Sequence, residues 1–137
     1  MYDTILVPSD GSERASEALD VALDTAEQHG ADVHALFVVD TQLYGEPALS
    51  SFELFIDEIE DQSRELLDEI VDRGAERGVT VTPEMRHGAP AESIMAYADE
   101  VDADLVVMGY QGETHRRQMG SVVEQVLDDT DRRVLVV

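Results

Sequence analysis

Two segments carry the residue types from which a binding site could be built. The first, PSDGS at residues 8–12, places Pro8, Ser9, Asp10 and Ser12 directly after an apolar run. The second, GYQGETHRRQMGS at residues 109–121, brackets His115, Arg116 and Arg117 with Gly109, Gly112 and Gly120. Glycine lets main-chain N–H groups turn toward an anion with no Cβ in the way. Ser121 begins a helical pattern, and a helix start offers free N–H groups at the positive end of its dipole. Phosphate suits such a loop, as do the forked donors of Arg116 and Arg117. The same residues also read as a tight strand-to-helix connection in which Ser121 only caps. Both arginines would then pair with acids such as Glu113 or with a partner subunit.

The other polar residues point less sharply to chemistry. Ser12 reads as a helix cap, because no G-x-S-x-G elbow surrounds it. Asp10 reads either as a cap or as a group facing a ligand. His87 precedes Gly88 at a strand end and reads as structural, His29 and His34 as surface or packing residues, and His115 as a loop residue. Tyr44 reads as a surface aromatic, or as a cover for a ligand. No H-E-x-x-H or clustered carboxylate spacing argues for a metal; Mg²⁺ would arrive only with a nucleotide.

These segments have to be positioned by the elements around them. Apolar, β-branched runs predict strands at 2–8, 32–40, 79–86, 103–109 and 132–137. Pro83 predicts an irregular or exposed side in the third. Helical spacing runs from Ser12 to a Gly30 cap, then along Phe52, Phe55, Ile56, Ile59, Leu66, Leu67, Ile70 and Val71 to Gly78. Residues 41–50 read as a loop. Pro90 opens a helix reaching about Val101. Ser121 and Glu124 form an S-x-x-E capping box ahead of Val122, Val123, Val126 and Leu127. Five strands alternating with helices predict one α/β domain over residues 1–137, a doubly wound, mainly parallel sheet with helices on both faces. Such sheets bind ligands beyond the carboxyl ends of their strands, where strand order reverses.

Composition narrows the partners. The chain has 31 acidic and nine basic residues, all nine of them arginine, for a formal net charge of −22. Nucleic acid and anionic membranes are therefore poor partners. Abundant acid without lysine looks like the proteins of salt-accumulating halophiles such as halophilic archaea, whose self-repulsion is screened within ~3 Å at about 1 M salt. With no cysteine there is no disulfide or thiol chemistry. No signal peptide or membrane span is evident, and a soluble, cytoplasmic protein is expected.

The whole chain resembles the universal stress protein family. The resemblance is carried by ILVPSDGSERASEAL (5–19), ALFVVD (35–40), HGAPAESI (87–94), and ADLVVMG through GSVVEQVL to RRVLVV. It implies a Rossmann-like sheet of the adenine nucleotide alpha hydrolase-like kind, with the first and fourth strands adjacent. One branch of the family binds ATP through a G-x2-G-x9-G-[S/T] loop. The resemblance implies that Gly109, Gly112, Gly120 and Ser121 face phosphates and ribose, Asp10 lies near the ribose, and Val38 offers its backbone to adenine. Pro8, Ser9 and Val122 would line the same crevice. It also implies a homodimer through Arg133, Val134, Leu135, Val136 and Val137, an apolar strand at a sheet edge.

The chain departs from the pattern at one place. Seven residues, ETHRRQM, separate Gly112 from Gly120, where the family pattern has nine. Two extended residues span at most ~7 Å, about the size of a phosphate. The cradle is then either tighter, with Arg116 replacing lost backbone reach, or empty. The first case is a dimeric, nucleotide-binding (ATP or AMP) regulatory protein with slow turnover at most. The second is a nucleotide-free interaction module of the same fold. A phosphotransferase lacks a full phosphate loop and a general base, and a receiver domain lacks an aspartate at the end of strand three.

Overall fold

The computed structural model describes residues 2–40, 49–110 and 120–137, with no side chain described for residues 49–55. Nine elements alternate along it: β1 Thr4–Pro8, α1 Glu13–His29, β2 Asp32–Asp40, α2 Leu49–Glu76, β3 Val81–Gly88, α3 Pro90–Val101, β4 Leu105–Met108, α4 Ser121–Asp129 and β5 Arg133–Val136. The strands form one sheet in the order β3-β2-β1-β4-β5, every neighbouring pair parallel. Strand order thus reverses between β1 and β4, as the resemblance implied.

Local chemistry accounts for the element ends. Ser12 caps α1 by accepting the Ala15 N–H at 3.2 Å, and Gly30 closes that helix. Pro90 stands in the first turn of α3, where a missing N–H leaves no helix bond unmade. The Val33 N–H donates to the Thr80 carbonyl, so the even-numbered residues of β3 face β2. Pro83 therefore falls on the open edge and is exposed, as its sequence context predicted.

Four strand boundaries differ from the sequence expectation because neighbouring backbone groups are engaged elsewhere. β1 begins at Thr4, since the Tyr2 N–H goes to the His29 Nδ1. β3 begins two residues late, at Val81, because the Val79 N–H closes the end of α2 on the Gly74 carbonyl. β4 begins at Leu105, after the Ala103 N–H has bonded back to Ala98, and it ends before Gly109. β5 covers only Arg133–Val136, because the Arg132 N–H goes to Thr130 Oγ1 at 3.2 Å while its side chain reaches Asp99, Asp102 and the Ala103 carbonyl.

The expected capping box at Ser121 does not form. Gly120 is the N-cap, and Ser121 is the first helical residue. The Gly120 N–H is held by the Tyr110 carbonyl at 2.9 Å while its own carbonyl accepts the Glu124 N–H at 3.0 Å. That pairing moves the helix start one residue earlier than an S-x-x-E box requires.

Apolar side chains pack on both faces of the sheet. Ile5, Val7, Val33, Ala35, Leu105 and Val107 meet α1 and α2 through Leu19, Leu23, Leu67 and Ile70. Leu6, Leu36, Val106 and Met108 meet α3 and α4 through Ile94, Tyr97, Val123 and Val126. Burying a side chain of this size contributes roughly 1.5–3 kcal/mol each, so the sheet fixes the ends of its strands firmly.

Candidate functional site at the strand-order reversal

β1 and β4 lie side by side, so the loops that leave them open at one place. A crevice of about 470 Å³ lies there, walled by residues from β1, α1, β2, α2, α3, β4 and α4. Of the residues named from sequence, Pro8, Ser9, Asp10, Val38, Gly109, Gly120, Ser121 and Val122 all line it. Gly112, Arg116, His115, Arg117, Glu113 and Tyr44 lie outside the described residues.

The first loop is built by local hydrogen bonds. The Ser9 N–H donates to the Leu36 carbonyl at 2.8 Å, carrying β1 one residue past its last paired position. Asp10 Oδ1 accepts the Ser12 N–H at 3.0 Å, and between them Gly11 adopts φ +82°, which side chains rarely tolerate. Ser12 is buried and spent on its cap, whereas Asp10 is exposed at the mouth of the crevice.

β2 supplies a main-chain edge. Pairing alternates along a parallel strand, and Leu36 faces β1 through its bond from Ser9. Val38, two residues on, faces the same way, but the β1 ladder ends at Pro8 opposite Leu36. The Val38 N–H and carbonyl thus look past the end of β1 into the crevice.

The third wall is the start of α4. With glycine as N-cap, the N–H groups of Ser121, Val122 and Val123 have no acceptor among the described residues, and all three residues line the crevice. The positive end of the helix dipole lies there too. The Ser121 side chain is exposed rather than engaged in a cap. The Tyr110–Gly120 bond joins the chain on either side of residues 111–119, and the Tyr110 N–H is anchored to the Val137 carbonyl at 2.8 Å.

Gly109 has a packing reason of its own. A Cβ there would lie 2.8 Å from the Arg14 carbonyl carbon and 2.9 Å from its Cβ, so β4 can pass α1 this closely only without a side chain.

Sequence reading missed Ile59 and Gln62 of α2, and Pro90 and Ile94 of α3, which also wall the crevice. Helical periodicity says which face of α2 is apolar but not which turn stands over the strand ends. His87, at the end of β3, lies 2.9 Å through Nε2 from Glu60 Oε1 and so ties β3 to the turn of α2 beside the crevice. Further down the sheet, His34 Nδ1 meets the Tyr97 hydroxyl at 3.1 Å, and Arg86 lies 4.7 Å over the Tyr97 ring. The Arg86 fork bonds Glu100 and holds that carboxyl below its ordinary range, while burial pushes the Tyr97 hydroxyl up. These groups lock α3 onto β2 and β3.

No group of three or more metal-ligating side chains occurs among the described residues. Nor, among them, is any helix long and apolar enough to cross a membrane. A second depression of about 480 Å³ lies at the opposite end of the strands, where Arg77 is already paired with Asp24 and Glu27.

Known proteins share this fold. A solved structure of the universal stress protein UspA from Lactobacillus plantarum aligns with a TM-score of 0.90 at 30% identity, covering 99% of this chain and 97% of that one. A universal stress protein solved in complex with cAMP aligns with a TM-score of 0.77 at 29% identity, covering 99% and 97%. The universal stress protein of Archaeoglobus fulgidus in complex with dAMP gives 0.75 at 25%, covering 98% and 97%. In sequence, a universal stress protein of Methanocaldococcus jannaschii is 37% identical over all of this chain and 82% of its own length. A model of the universal stress protein family matches residues 1–137. With that model matching its entire length and a relative 37% identical along all of it, the chain belongs to the universal stress protein family.

Proposed function

We propose that the chain is a nucleotide-binding regulatory protein that takes an adenine nucleotide in the crevice and acts as a homodimer. The observation that carries this reading is the convergence, at the β1–β4 reversal, of the Val38 main chain, which has no β1 partner among the described residues, with the uncapped N–H groups of α4. The first offers one donor and one acceptor to the edge of a base. The second, with Gly109 and the Ser121 hydroxyl, offers donors to a phosphate. In this reading Asp10, exposed at the mouth, accepts from ribose hydroxyls. Solved relatives in complex with cAMP and with dAMP share adenine and a single phosphate, which fits a crevice built to hold those two parts.

In this reading Gly112 and Arg116 complete the phosphate cradle, and Mg²⁺ enters only with a di- or triphosphate. An acidic protein accepts an anion at high salt because long-range repulsion is screened and contact chemistry remains. A second reading, a nucleotide-free interaction module, is favoured by one observation: seven residues rather than nine between Gly112 and Gly120. Isothermal titration of the folded protein with AMP and with Mg-ATP in multimolar KCl separates the two. Saturable binding weakened by Gly112→Val and Arg116→Ala supports the cradle. Folded protein that binds neither nucleotide supports the interaction module.

A further inference from the structure

We propose that Gln62 reads the base of the bound nucleotide, an inference that rests on the reading of the crevice as an adenine-nucleotide site. The crevice has two kinds of lining. Ser9, Asp10, Ser121 and the start of α4 bring polar groups to it. Val38, Val39, Ile59 and Ile94 bring apolar side chains, suited to the faces of a flat ring. Gln62 also lines the crevice and makes no hydrogen bond to any described residue.

Its position is fixed by its neighbours. Ile59 precedes it by three residues, so both stand on one face of α2. The intervening Glu60 is bonded to His87, which anchors this turn to the end of β3. Ser63, buried beside it, donates to the Ile59 carbonyl at 2.6 Å. The Gln62 amide is thus presented to the crevice from a turn that the Glu60–His87 contact ties to β3.

The amide carries what adenine needs on a second edge. The Val38 N–H and carbonyl match N1 and the N6 amino group. The Gln62 Nε2 donor and Oε1 acceptor match N7 and the remaining N6 hydrogen, a pairing glutamine makes with adenine elsewhere. A purine held on both edges is set in one orientation, with its ribose directed toward Asp10 and its phosphate toward α4.

The test compares AMP with 7-deaza-AMP, which lacks the N7 acceptor, on wild type and Gln62→Leu in multimolar KCl. Gln62 is exposed, so this variant should melt as wild type does. Wild type is expected to bind AMP about tenfold more tightly than 7-deaza-AMP, the lower end of what one bidentate amide–base pair discriminates. Gln62→Leu is expected to bind the two equally, at the weaker affinity. Saturable wild-type binding with no preference between them, or a preference that survives in Gln62→Leu, would overturn the role of Gln62 alone. Folded wild type that binds neither AMP nor 7-deaza-AMP would overturn it together with the crevice reading.

Discussion

Gly109 at the end of β4 runs so close to Arg14 in the first turn of α1 that a Cβ on Gly109 would stand 2.8 Å from the Arg14 main-chain carbon. That atom is backbone and cannot swing aside. Gly109→Ala therefore has to push α1 away from β4, and overpacking of this kind costs about 1–3 kcal/mol. The lost stability should be seen as a lower urea midpoint at unchanged slope. Because the shift opens the wall between β1 and β4, nucleotide affinity should fall with it. A wild-type midpoint would mean that the first turn of α1 yields freely.

The two serines at helix starts should behave in opposite ways. Ser12 is buried and accepts the Ala15 N–H, so Ser12→Ala should cost about 1 kcal/mol of stability. Ser121 is exposed and caps nothing, so Ser121→Ala should stay within about 0.5 kcal/mol of wild type. If its hydroxyl meets a phosphate, AMP affinity should drop about tenfold, the lower end for a hydrogen bond to a charged group. Chemical denaturation and titration of both variants give the four numbers needed.

How far the sequence foretold these roles depends on where the deciding contact lies. Ser12 and Gly30 punctuate α1 within a few residues of themselves, and that helix was legible throughout. The start of α4 was not, because the Gly120 cap is set by the bond its N–H makes to the Tyr110 carbonyl, ten positions earlier across residues 111–119. β3 slid by two residues for a similar reason, Val79 being held by Gly74. Of the crevice, the loop residues were legible through their glycines and their motif. Gln62 was not, because nothing in a helix repeat tells which turn overhangs the strand ends.

At the other end of the strands, Asp104 clamps β1 to β4. Its Oδ2 accepts the N–H groups of Asp3 at 2.8 Å and Thr4 at 2.9 Å, and these bonds hold its carboxyl below the ordinary range. A lowered folded pKa means the folded state favours the ionised form. The stabilisation is fully present above the unfolded aspartate value of about 3.9. It is lost as pH falls through the lower folded value. Asp104→Asn keeps one acceptor but no charge, so it should be less stable than wild type at neutral pH. The gap should close below about pH 4. Urea midpoints of both proteins across that range, at constant KCl, check the sign; a gap that widens in acid would contradict it.

The last prediction concerns assembly. β5 pairs with β4 on one side only, which leaves a strand at the sheet edge. Val134 and Val136 turn to the α3–α4 face, so Leu135 points to the opposite face, where it is 40% exposed. Arg133, also exposed, has no carboxylate partner among the described residues. An apolar edge with an unspent cation is a surface that a second copy of an acid-rich chain can cover. Removing residues 135–137 would be a poor test, since the Val137 main chain holds both Met108 and Tyr110 at 2.8 Å beside the crevice. Leu135→Asp leaves those bonds intact while placing a charge on the edge. In sedimentation at multimolar KCl, wild type should run as a dimer and Leu135→Asp as a monomer that still binds AMP. Lowering the salt should dissociate wild type as well, because two chains of net charge −22 then repel over a longer range. A Leu135→Asp protein that remains dimeric would move the interface away from β5.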